Sequence, residues 1–354
     1  MSQAFLCFGG NLKFRTLLHK IQFCSILPAM KIVILDGHAL NPGDLSYDVL
    51  KEFGEVTYYP RTQPELTLER IRDADYVFLN KVNLTREILS QCKNLKYIGV
   101  FATGYNVVDI EAARDFGIVV TNIPAYSTMA VAQHVFALIM EFYNAVNAHS
   151  KSVMNGDWIK SPDFCYWVQP LTELYGKTIG LIGFGSIGQR VAHIASSFGM
   201  KVIVNTRSAF RIDEYNANAR DDEKVRAVSL DELLSSSDIV SLHCPLTKDN
   251  NKLINAESLK KIKKGALLVN TARGALIDEE AVRKALEDKT LSGFAADVLS
   301  EEPMSKDCPL LNAPNCVVTP HVAWAAKETR VRLLDIAVEN LRSFLNGNII
   351  NRVN

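Results

Sequence analysis

The segment 179–188, IGLIGFGSIG, places an apolar strand directly before a G-x-G-x-x-G sequence. A helical pattern follows at 187–198, and a second apolar strand follows at 201–205. In such a βαβ unit the first glycine permits the tight turn, the second lets the backbone approach a pyrophosphate, and the third lets helix and strand pack closely. An isolated match is often an ordinary glycine turn, but the flanking elements favour a dinucleotide site at a helix N-terminus. Its glycines are Gly183, Gly185 and Gly188.

The composition bounds the size and the partners of the chain. A length of 354 residues favours about two domains. The 39 basic residues balance the 39 acidic residues, so no net field draws the chain to nucleic acid or to an anionic membrane. No apolar run reaches the ~18 residues that a membrane span requires. We therefore expect neither a nucleic-acid nor a membrane partner.

The cysteines indicate a reducing compartment. Their number is odd, and they are scattered without any C-x-x-C pair, at Cys7, Cys24, Cys92, Cys165, Cys244, Cys308 and Cys316. This pattern is typical of free thiols in a cytoplasmic protein and predicts no metal site.

Residues 1–29 differ from the rest of the chain. They carry Lys13, Arg15 and Lys20, and no acidic residue occurs before Asp36. A targeting peptide is one interpretation, but the segment lacks a long apolar core and a small-residue cleavage site. We interpret it as an N-terminal extension, with Met30 as the natural beginning of the fold.

From Met30 onward, short β-branched runs alternate with amphipathic helical patterns, which predicts parallel sheets covered by helices on both faces. The first series has strands at 31–35, 56–59, 76–79, 97–100 and 118–121. A long helical pattern at 127–154 bridges to a second series of six strands at 178–182, 201–205, 238–242, 266–270, 293–297 and 316–319.

The last helical pattern, Lys327–Leu345, has no strand after it and is expected to fold back onto the first domain. The predicted fold is therefore α/β, with two doubly wound parallel-sheet domains. A Rossmann-type dinucleotide-binding domain at 127–324 is inserted into a flavodoxin-like substrate domain at 30–126 and 325–354.

Three ionisable residues follow strands of the second series, at the strand ends where open α/β sheets bind ligands. They are Arg273, Glu302 and His321. Each alone has an ordinary explanation, as a solvated loop residue, a solvated turn or a packed histidine. Their shared placement after the dinucleotide sequence predicts that they converge on one crevice.

Five segments, 173–180, 183–188, 269–277, 297–303 and 319–321, resemble the signatures of D-isomer-specific 2-hydroxyacid dehydrogenases in order and spacing. The resemblance covers about residues 30–354. Within that family, segments 101–109 and 320–325 are most similar to the glycerate dehydrogenase (hydroxypyruvate reductase) branch.

Reduction of a 2-oxo acid needs a group that holds the carboxylate and a group that protonates the developing alkoxide. A guanidinium can grip a carboxylate with forked donors, which suits Arg273. An imidazolium can donate the proton near neutral pH, and a nearby carboxylate stabilises and orients it. His321 and Glu302 fit those two roles, and the family resemblance implies the same three assignments.

The resemblance also implies contacts for substrate and cofactor. It implies that backbone amides around Thr103 and Gly104 bind the substrate carboxylate, and it places Arg273 and His321 among the substrate-binding residues. The implied cofactor contacts are Ser186 and Ile187 at the pyrophosphate, Thr271, Ala272 and Asp297 near the nicotinamide, and the adenine-side loop with His243, Pro245 and Thr247. The pattern of that loop departs from the family at Asn250, where a threonine is usual.

The second strand of the dinucleotide unit leaves the cofactor open between NAD(H) and NADP(H). An NAD site would place Asp or Glu about twenty residues after the glycines. This chain has Thr206 and Arg207 there, and Arg207 either binds a 2′-phosphate or stacks on adenine or faces solvent.

Alternative functions are distinguished by single features. Formate dehydrogenases share the fold but carry glutamine where Glu302 stands. Phosphoglycerate dehydrogenase is closer, yet many of its members add a regulatory domain after the last helix. Dinucleotide-sensing corepressors keep the same three residues, although they often have a low-complexity tail that is absent after Leu345. The sequence favours a homodimeric enzyme, with the 127–154 region at the contact, that reduces hydroxypyruvate or glyoxylate.

Overall fold

The computed structural model describes residues 30–354, so the interpretation of 1–29 as an extension lies outside the described residues. Within 30–354 there are twelve strands: β1 Lys31–Ile34, β2 Glu55–Tyr58, β3 Tyr76–Leu79, β4 Tyr97–Val100, β5 Val119–Thr121, β6 Thr178–Ile182, β7 Lys201–Asn205, β8 Arg226–Ala227, β9 Ile239–Leu242, β10 Ala266–Asn270, β11 Leu291–Ala296 and β12 Cys316–Val318.

The same residues form eleven α-helices: α1 Thr67–Ile71, α2 Arg86–Ser90, α3 Ile110–Asp115, α4 Thr128–Tyr143, α5 Val146–Met154, α6 Ser186–Ser197, α7 Phe210–Asn218, α8 Leu230–Ser236, α9 Ala256–Leu259, α10 Glu279–Glu287 and α11 Lys327–Leu345. Short 3-10 helices occur at Asp48–Glu52, Pro64–Leu66, Trp158–Lys160, Asp221–Glu223, Lys248–Asn250 and Gly274–Leu276.

The strands form two parallel sheets, which confirms the predicted fold class. The first sheet has the order β2-β1-β3-β4-β5, and the second has the order β12-β11-β10-β9-β6-β7-β8. The central strands β3, β4, β9 and β10 are buried along their whole length, as expected for sheets covered on both faces. The prediction of six strands in the second sheet was wrong by one, because β8 has two exposed residues and no apolar pattern.

The C-terminal segment packs on the first sheet. Leu333, Leu334 and Leu341 of α11 share a buried cluster with Ile32 and Phe78. Beyond the helix the chain pairs with β5 through an antiparallel bridge between Thr121 and Arg352. A C-terminal helix that folds back onto the first domain would make these contacts. The domain boundaries at residues 126 and 324 stay a prediction.

The single helix expected at 127–154 is two helices. α4 and α5 meet at Asn144 and Ala145, and their axes are bent by 54°. Ala145 has φ 45°, a left-handed conformation that cannot continue an α-helix. No single helix among residues 30–354 is long and apolar enough to cross a membrane, and only this bent pair passes that test by length and composition.

Each sheet has one point where the strand order reverses direction, between β1 and β3 in the first sheet and between β6 and β9 in the second. Ligands of open α/β sheets bind beyond the carboxyl ends of the strands at such points. The two carboxyl edges face each other, because the Nη2 atom of Arg273, after β10, lies 3.2 Å from the position of a Cβ on Gly104, after β4. We call the space between these edges the cleft.

Candidate active site

The glycine loop after β6 has the shape that a dinucleotide needs. Gly183 has φ +99°, and a Cβ there would come within 2.6 Å of backbone atoms of His243 and Cys244. A Cβ on Gly188 would lie 2.6 Å from the carbonyl oxygen of Gly183, so close helix–strand packing requires glycine. A Cβ on Gly185 would meet no protein atom within 4 Å, so the fold itself does not demand that glycine.

Close approach of a phosphate to the backbone would account for a glycine at position 185. α6 begins at Ser186, and the first amides of the helix, including those of Ser186 and Ile187, have no intrahelical acceptors. These residues fit a pyrophosphate held by backbone N–H groups and by the positive end of the helix dipole.

The adenosine side of the site is formed by the loops after β7 and β9. Arg207 is exposed after β7, and Thr206 Oγ1 accepts a hydrogen bond from the Ser208 amide at 3.1 Å. Burial raises the pKa of Cys244, and the charge of Arg207 opposes that shift. Arg207 and the 243–247 loop follow β7 and β9, the two strands that flank β6, so both segments lie at the same carboxyl edge of the sheet as the glycine loop.

Two side chains fix the 243–247 loop. His243 contacts Ser241 Oγ at 2.9 Å, and burial lowers the pKa of His243 to about 4, so its imidazole is neutral at pH 7. Asn250 accepts from the Thr247 amide at 2.6 Å and donates to the Pro245 carbonyl at 2.8 Å. Asn250, which stands where the family usually has threonine, thus makes both of these hydrogen bonds within its own loop.

The Arg273 loop is held by a buried amide. Asn270, at the end of β10, donates to the Arg273 carbonyl at 2.9 Å and accepts from the Ala272 amide at 3.0 Å. Sequence reasoning missed Asn270, whose signal was a polar residue ending an otherwise apolar strand. A Cβ on Gly274 would overlap the carbonyl group of Leu299, so this loop packs directly against the loop that carries Glu302.

His321 and Glu302 form an ion pair, with His321 Nδ1 at 2.7 Å from Glu302 Oε2. The other carboxylate oxygen accepts from the Leu299 amide at 3.0 Å. Burial pushes the pKa of Glu302 up, but the hydrogen bond and charge of His321, the Leu299 amide and the charge of Lys81 outweigh it. The pKa of Glu302 is therefore lowered, and its carboxylate stays ionised beside the imidazole.

Asp297 was expected near the nicotinamide, and the structure gives its carboxylate other partners. The side chain is 1% exposed, and it accepts from the amides of Val322 and Ala323, both at 2.8 Å. It also accepts from Thr319 Oγ1 at 2.6 Å. These partners flank His321, so the Asp297 carboxylate is bonded to the loop that carries the imidazole on both sides of it.

His134 of α4 extends this network. Its Nε2 atom lies 2.9 Å from Thr319 Oγ1 and 3.5 Å from Asp297 Oδ1. His321 itself has φ 55°, a left-handed conformation that is costly outside glycine, and Trp324 Nε1 donates to its carbonyl at 3.0 Å. Sequence reasoning missed His134 and Trp324, because nothing in the local pattern indicates contacts made between distant loops.

The first sheet supplies backbone donors. Among residues 30–354, the amides of Thr103 and Gly104 have no hydrogen-bond acceptor. The Thr103 side chain donates to the Ile123 carbonyl at 2.8 Å, and Asn122 donates to the Thr103 carbonyl at 2.7 Å, so this loop is fixed while its amides stay available. Arg273 faces Gly104 from the other edge of the cleft, and together they can hold one carboxylate.

At the nicotinamide side, Thr271 Oγ1 is buried and lacks a partner among the residues described. Buried hydroxyls are normally hydrogen-bonded, so this donor fits a cofactor contact next to Ala272.

No group of three His, Cys, Asp or Glu side chains within 30–354 is placed to hold a metal ion. The residues present therefore fit a dinucleotide and a small carboxylic acid in one cleft.

The sequence and the fold are similar to those of known proteins. A family model for the NAD-binding domain of D-isomer specific 2-hydroxyacid dehydrogenases matches residues 136–323. The chain is 46% identical to a hydroxypyruvate reductase of Blautia hydrogenotrophica, over 92% of this chain and 100% of that protein. It is 39% identical to a glycerate dehydrogenase of Methylorubrum extorquens, over 90% of this chain and 96% of the relative.

Among solved structures, an acyclic imino acid reductase in complex with NADPH and D-Arg is similar. Its TM-score is 0.77 at 31% identity, over 92% of this chain and 100% of that one.

Proposed function

This chain belongs to the D-isomer specific 2-hydroxyacid dehydrogenases, and from that premise we propose that it reduces hydroxypyruvate, and glyoxylate as a smaller substrate, to the D-2-hydroxy acid. As a member of that family it is an oxidoreductase acting on a CH–OH group, with NAD(H) or NADP(H) as its cofactor. The observation that carries the proposal is the 2.7 Å contact between His321 Nδ1 and Glu302 Oε2, with the loop of Glu302 packed directly against the loop of Arg273.

The chemistry follows from the placement of these groups. Arg273 and the amides of Thr103 and Gly104 hold the substrate carboxylate from opposite edges of the cleft. Glu302 holds Nδ1 of His321, which leaves Nε2 as the atom that can donate a proton to the carbonyl oxygen.

When bound, the nicotinamide supplies or accepts the hydride at the carbonyl carbon. The protonated imidazole then stabilises the negative charge that develops on the carbonyl oxygen and transfers its proton there. Proton donation of this kind contributes about 10²–10⁴ in rate. In the reverse direction the neutral imidazole accepts the proton of the hydroxy acid.

We also propose a cytoplasmic homodimer. Among residues 30–354, apolar side chains of the α5 region and of the segment that follows are exposed, with Ile159 at 90% and Phe164 at 89%. Val146, Met154 and Trp167 are also exposed. The later segment is held against α5, because the Val168 amide donates to His149 Nε2 at 3.2 Å and the Tyr166 hydroxyl donates to Ser152 Oγ at 3.0 Å. Contiguous apolar patches usually mark interaction sites, and a second copy of this face would bury them. All five described cysteines are free, which supports a reducing compartment.

The test is oxidation of NADH or NADPH by the purified full chain with hydroxypyruvate, glyoxylate or 3-phosphohydroxypyruvate. We expect turnover of the first two and formation of D-glycerate from hydroxypyruvate. Turnover of the phosphorylated acid alone would assign a phosphoglycerate dehydrogenase. Tight dinucleotide binding without any turnover would assign a sensing protein. His321→Gln is the matched control, because it removes the proton donor without enlarging the cleft.

A further inference from the structure

An arginine in the first turn of α11 contacts both a loop of the first sheet and the turn that carries His321. The Arg330 side chain is 8% exposed. Helix stability does not call for a cation at this position, because a positive charge near a helix N-terminus is unfavourable. A buried charge also costs free energy unless it is paired and hydrogen-bonded. The reason for an arginine here therefore lies in the groups that it contacts.

On one side the guanidinium binds the loop after β1. Nη1 and Nη2 of Arg330 donate to the two carboxylate oxygens of Asp44, both at 2.7 Å, and Nη1 also donates to the Leu40 carbonyl at 3.0 Å. Asn41 closes this loop, because its side chain donates to the Leu45 carbonyl at 2.7 Å and accepts from the Leu45 amide at 2.9 Å. Leu40 is completely buried. Arg330 is therefore anchored on a fixed loop at the carboxyl end of β1.

On the other side Arg330 binds the turn that follows β12 and carries His321. Nε of Arg330 donates to the Ala325 carbonyl at 2.8 Å. The Ala325 amide donates to the Val322 carbonyl at 2.9 Å, so the chain folds into one compact turn. Within it, Trp324 Nε1 donates to the His321 carbonyl at 3.0 Å. One guanidinium thus joins the loop after β1 to the turn that carries the imidazole.

The backbone of His321 needs such support. Its φ of 55° is a left-handed conformation, and strained conformations persist only where the surrounding structure over-determines them. Asp297 holds the middle of the turn, because it accepts from the amides of Val322 and Ala323. Arg330 holds the C-terminal end of the turn, at Ala325. The two side chains therefore fix different parts of the segment that sets the direction of the imidazole.

We propose that Arg330 is a positioning residue for the proton donor. Anchored on Asp44 and Leu40, it holds the Ala325 carbonyl and keeps His321 in the conformation that directs its Nε2 atom to the substrate. This inference rests on the proposed function, because it assumes that His321 transfers the proton. It assigns Arg330 no contact with substrate or cofactor.

The experiment compares hydride transfer to hydroxypyruvate in the parent, Arg330→Met and Arg330→Lys, with saturating reduced cofactor. The quantity measured is the rate constant of the first turnover, because it does not depend on how much of each protein is folded. A small misplacement of a reacting group can cost up to about 10² in rate, so Arg330→Met is expected to lower this rate constant about 10–100-fold. KM for hydroxypyruvate should change less than about threefold, because Arg273 and the loop of Gly104 keep their places.

Arg330→Lys is the second variant, because it keeps a cation beside Asp44 and is expected to fold even where Arg330→Met does not. Its single nitrogen cannot replace the three donor nitrogens of the guanidinium, so its rate constant should stay more than about threefold below that of the parent. The matched control is Arg342→Met, at an exposed arginine of the same helix that pairs with Glu52 and Glu339. We expect this control to lower Tm and to leave the rate constant unchanged.

A parental rate constant in either Arg330 variant would overturn the proposal, because the arginine would then serve only as an ion pair. A loss that appears entirely as a higher KM for hydroxypyruvate would overturn it as well, since Arg330 would then act on substrate binding. A parent that transfers no hydride to any 2-oxo acid contradicts the proposed function itself, and the assignment of Arg330 falls with it.

Discussion

The two carboxyl edges that form the cleft contribute in different ways. The edge of the second sheet presents reactive side chains, Arg273, Glu302 and His321, each held by buried partners. The edge of the first sheet presents backbone amides, at Thr103 and Gly104. The second edge thus carries the proposed proton donor, whereas the two edges share the proposed carboxylate site.

The difference predicts that substitutions on the two edges fail differently. Changes on the second edge lower turnover for every substrate or destabilise the loops that carry the reacting groups. Changes in the loop of Thr103 and Gly104 on the first edge are expected to weaken binding of the substrate carboxylate and to raise KM for every acid. The substitutions below test this contrast on the second edge, where the expected effects are largest.

Arg273→Ala has the largest expected effect. The guanidinium is asked to hold the carboxylate and to polarise the carbonyl, so its loss lowers kcat/KM for all 2-oxo acids by about 10³. Dinucleotide affinity, measured by fluorescence titration, should stay nearly unchanged, because Arg273 faces Gly104 rather than the glycine loop. Loss of dinucleotide affinity with retained catalytic efficiency would show that Arg273 is placed wrongly.

Asp297→Asn tests whether the buried carboxylate positions His321. An amide has one acceptor oxygen, so its NH₂ group would face an amide N–H of Val322 or Ala323 and leave it unpaired. We expect unfolding free energy to fall by about 1–3 kcal/mol and kcat to fall by about 10².

The control for Asp297→Asn is Asp288→Asn, at an exposed carboxylate after α10 that bonds only locally. A variant at position 297 with parental stability and altered KM for cofactor alone would favour the direct nicotinamide contact that the sequence suggested.

The hydrogen bonds around Asp297 and His134 show which parts of the site could be predicted from the sequence and which could not. The strand series, the glycine loop and the order of Arg273, Glu302 and His321 are local patterns, so they could be predicted. The contacts of Asp297 with Val322 and of His134 with Thr319 join residues far apart in the chain. No spacing rule indicates them.

Local backbone conformation also limited what could be predicted from the sequence. The bend at Ala145 depends on one residue with φ 45°, within a segment whose apolar spacing continues as if the helix were unbroken. The two-residue strand β8 is exposed and carries no periodicity.

Substitution of Arg207 tests the part of the second edge that is assigned to the adenosine of the cofactor. Residues 205–208 include no acidic side chain, and Arg207 is exposed after β7 at the carboxyl edge of the sheet, so a 2′-phosphate bound there would gain a charge-assisted contact. NADPH should be used at least as well as NADH. Arg207→Ala should lower kcat/KM for NADPH about 10–100-fold and leave NADH nearly unaffected.

Thr206→Asp is the matched reversal, because a carboxylate accepts from the ribose hydroxyls and repels the phosphate. Steady-state kinetics with both cofactors decide the matter. A strong preference of the parent for NADH that Arg207→Ala leaves unaltered would show that this loop does not recognise the 2′ position.

Glu302→Gln has the smallest expected effect, because both members of the pair are about one third exposed and water weakens their attraction. The neutral amide no longer stabilises protonated His321, so the rate of reduction should decline at a lower pH than in the parent. An energy of about 1 kcal/mol corresponds to a shift of somewhat less than one pH unit. Because the pKa of Glu302 is lowered in the folded state, its contribution to stability is present above the ordinary carboxyl range and is lost as pH falls through that lowered pKa. The difference in Tm between parent and variant should therefore shrink towards acid pH. Pre-steady-state hydride transfer with an identical pH profile in both proteins would remove the pairing with Glu302 from the mechanism and leave His321 to act alone.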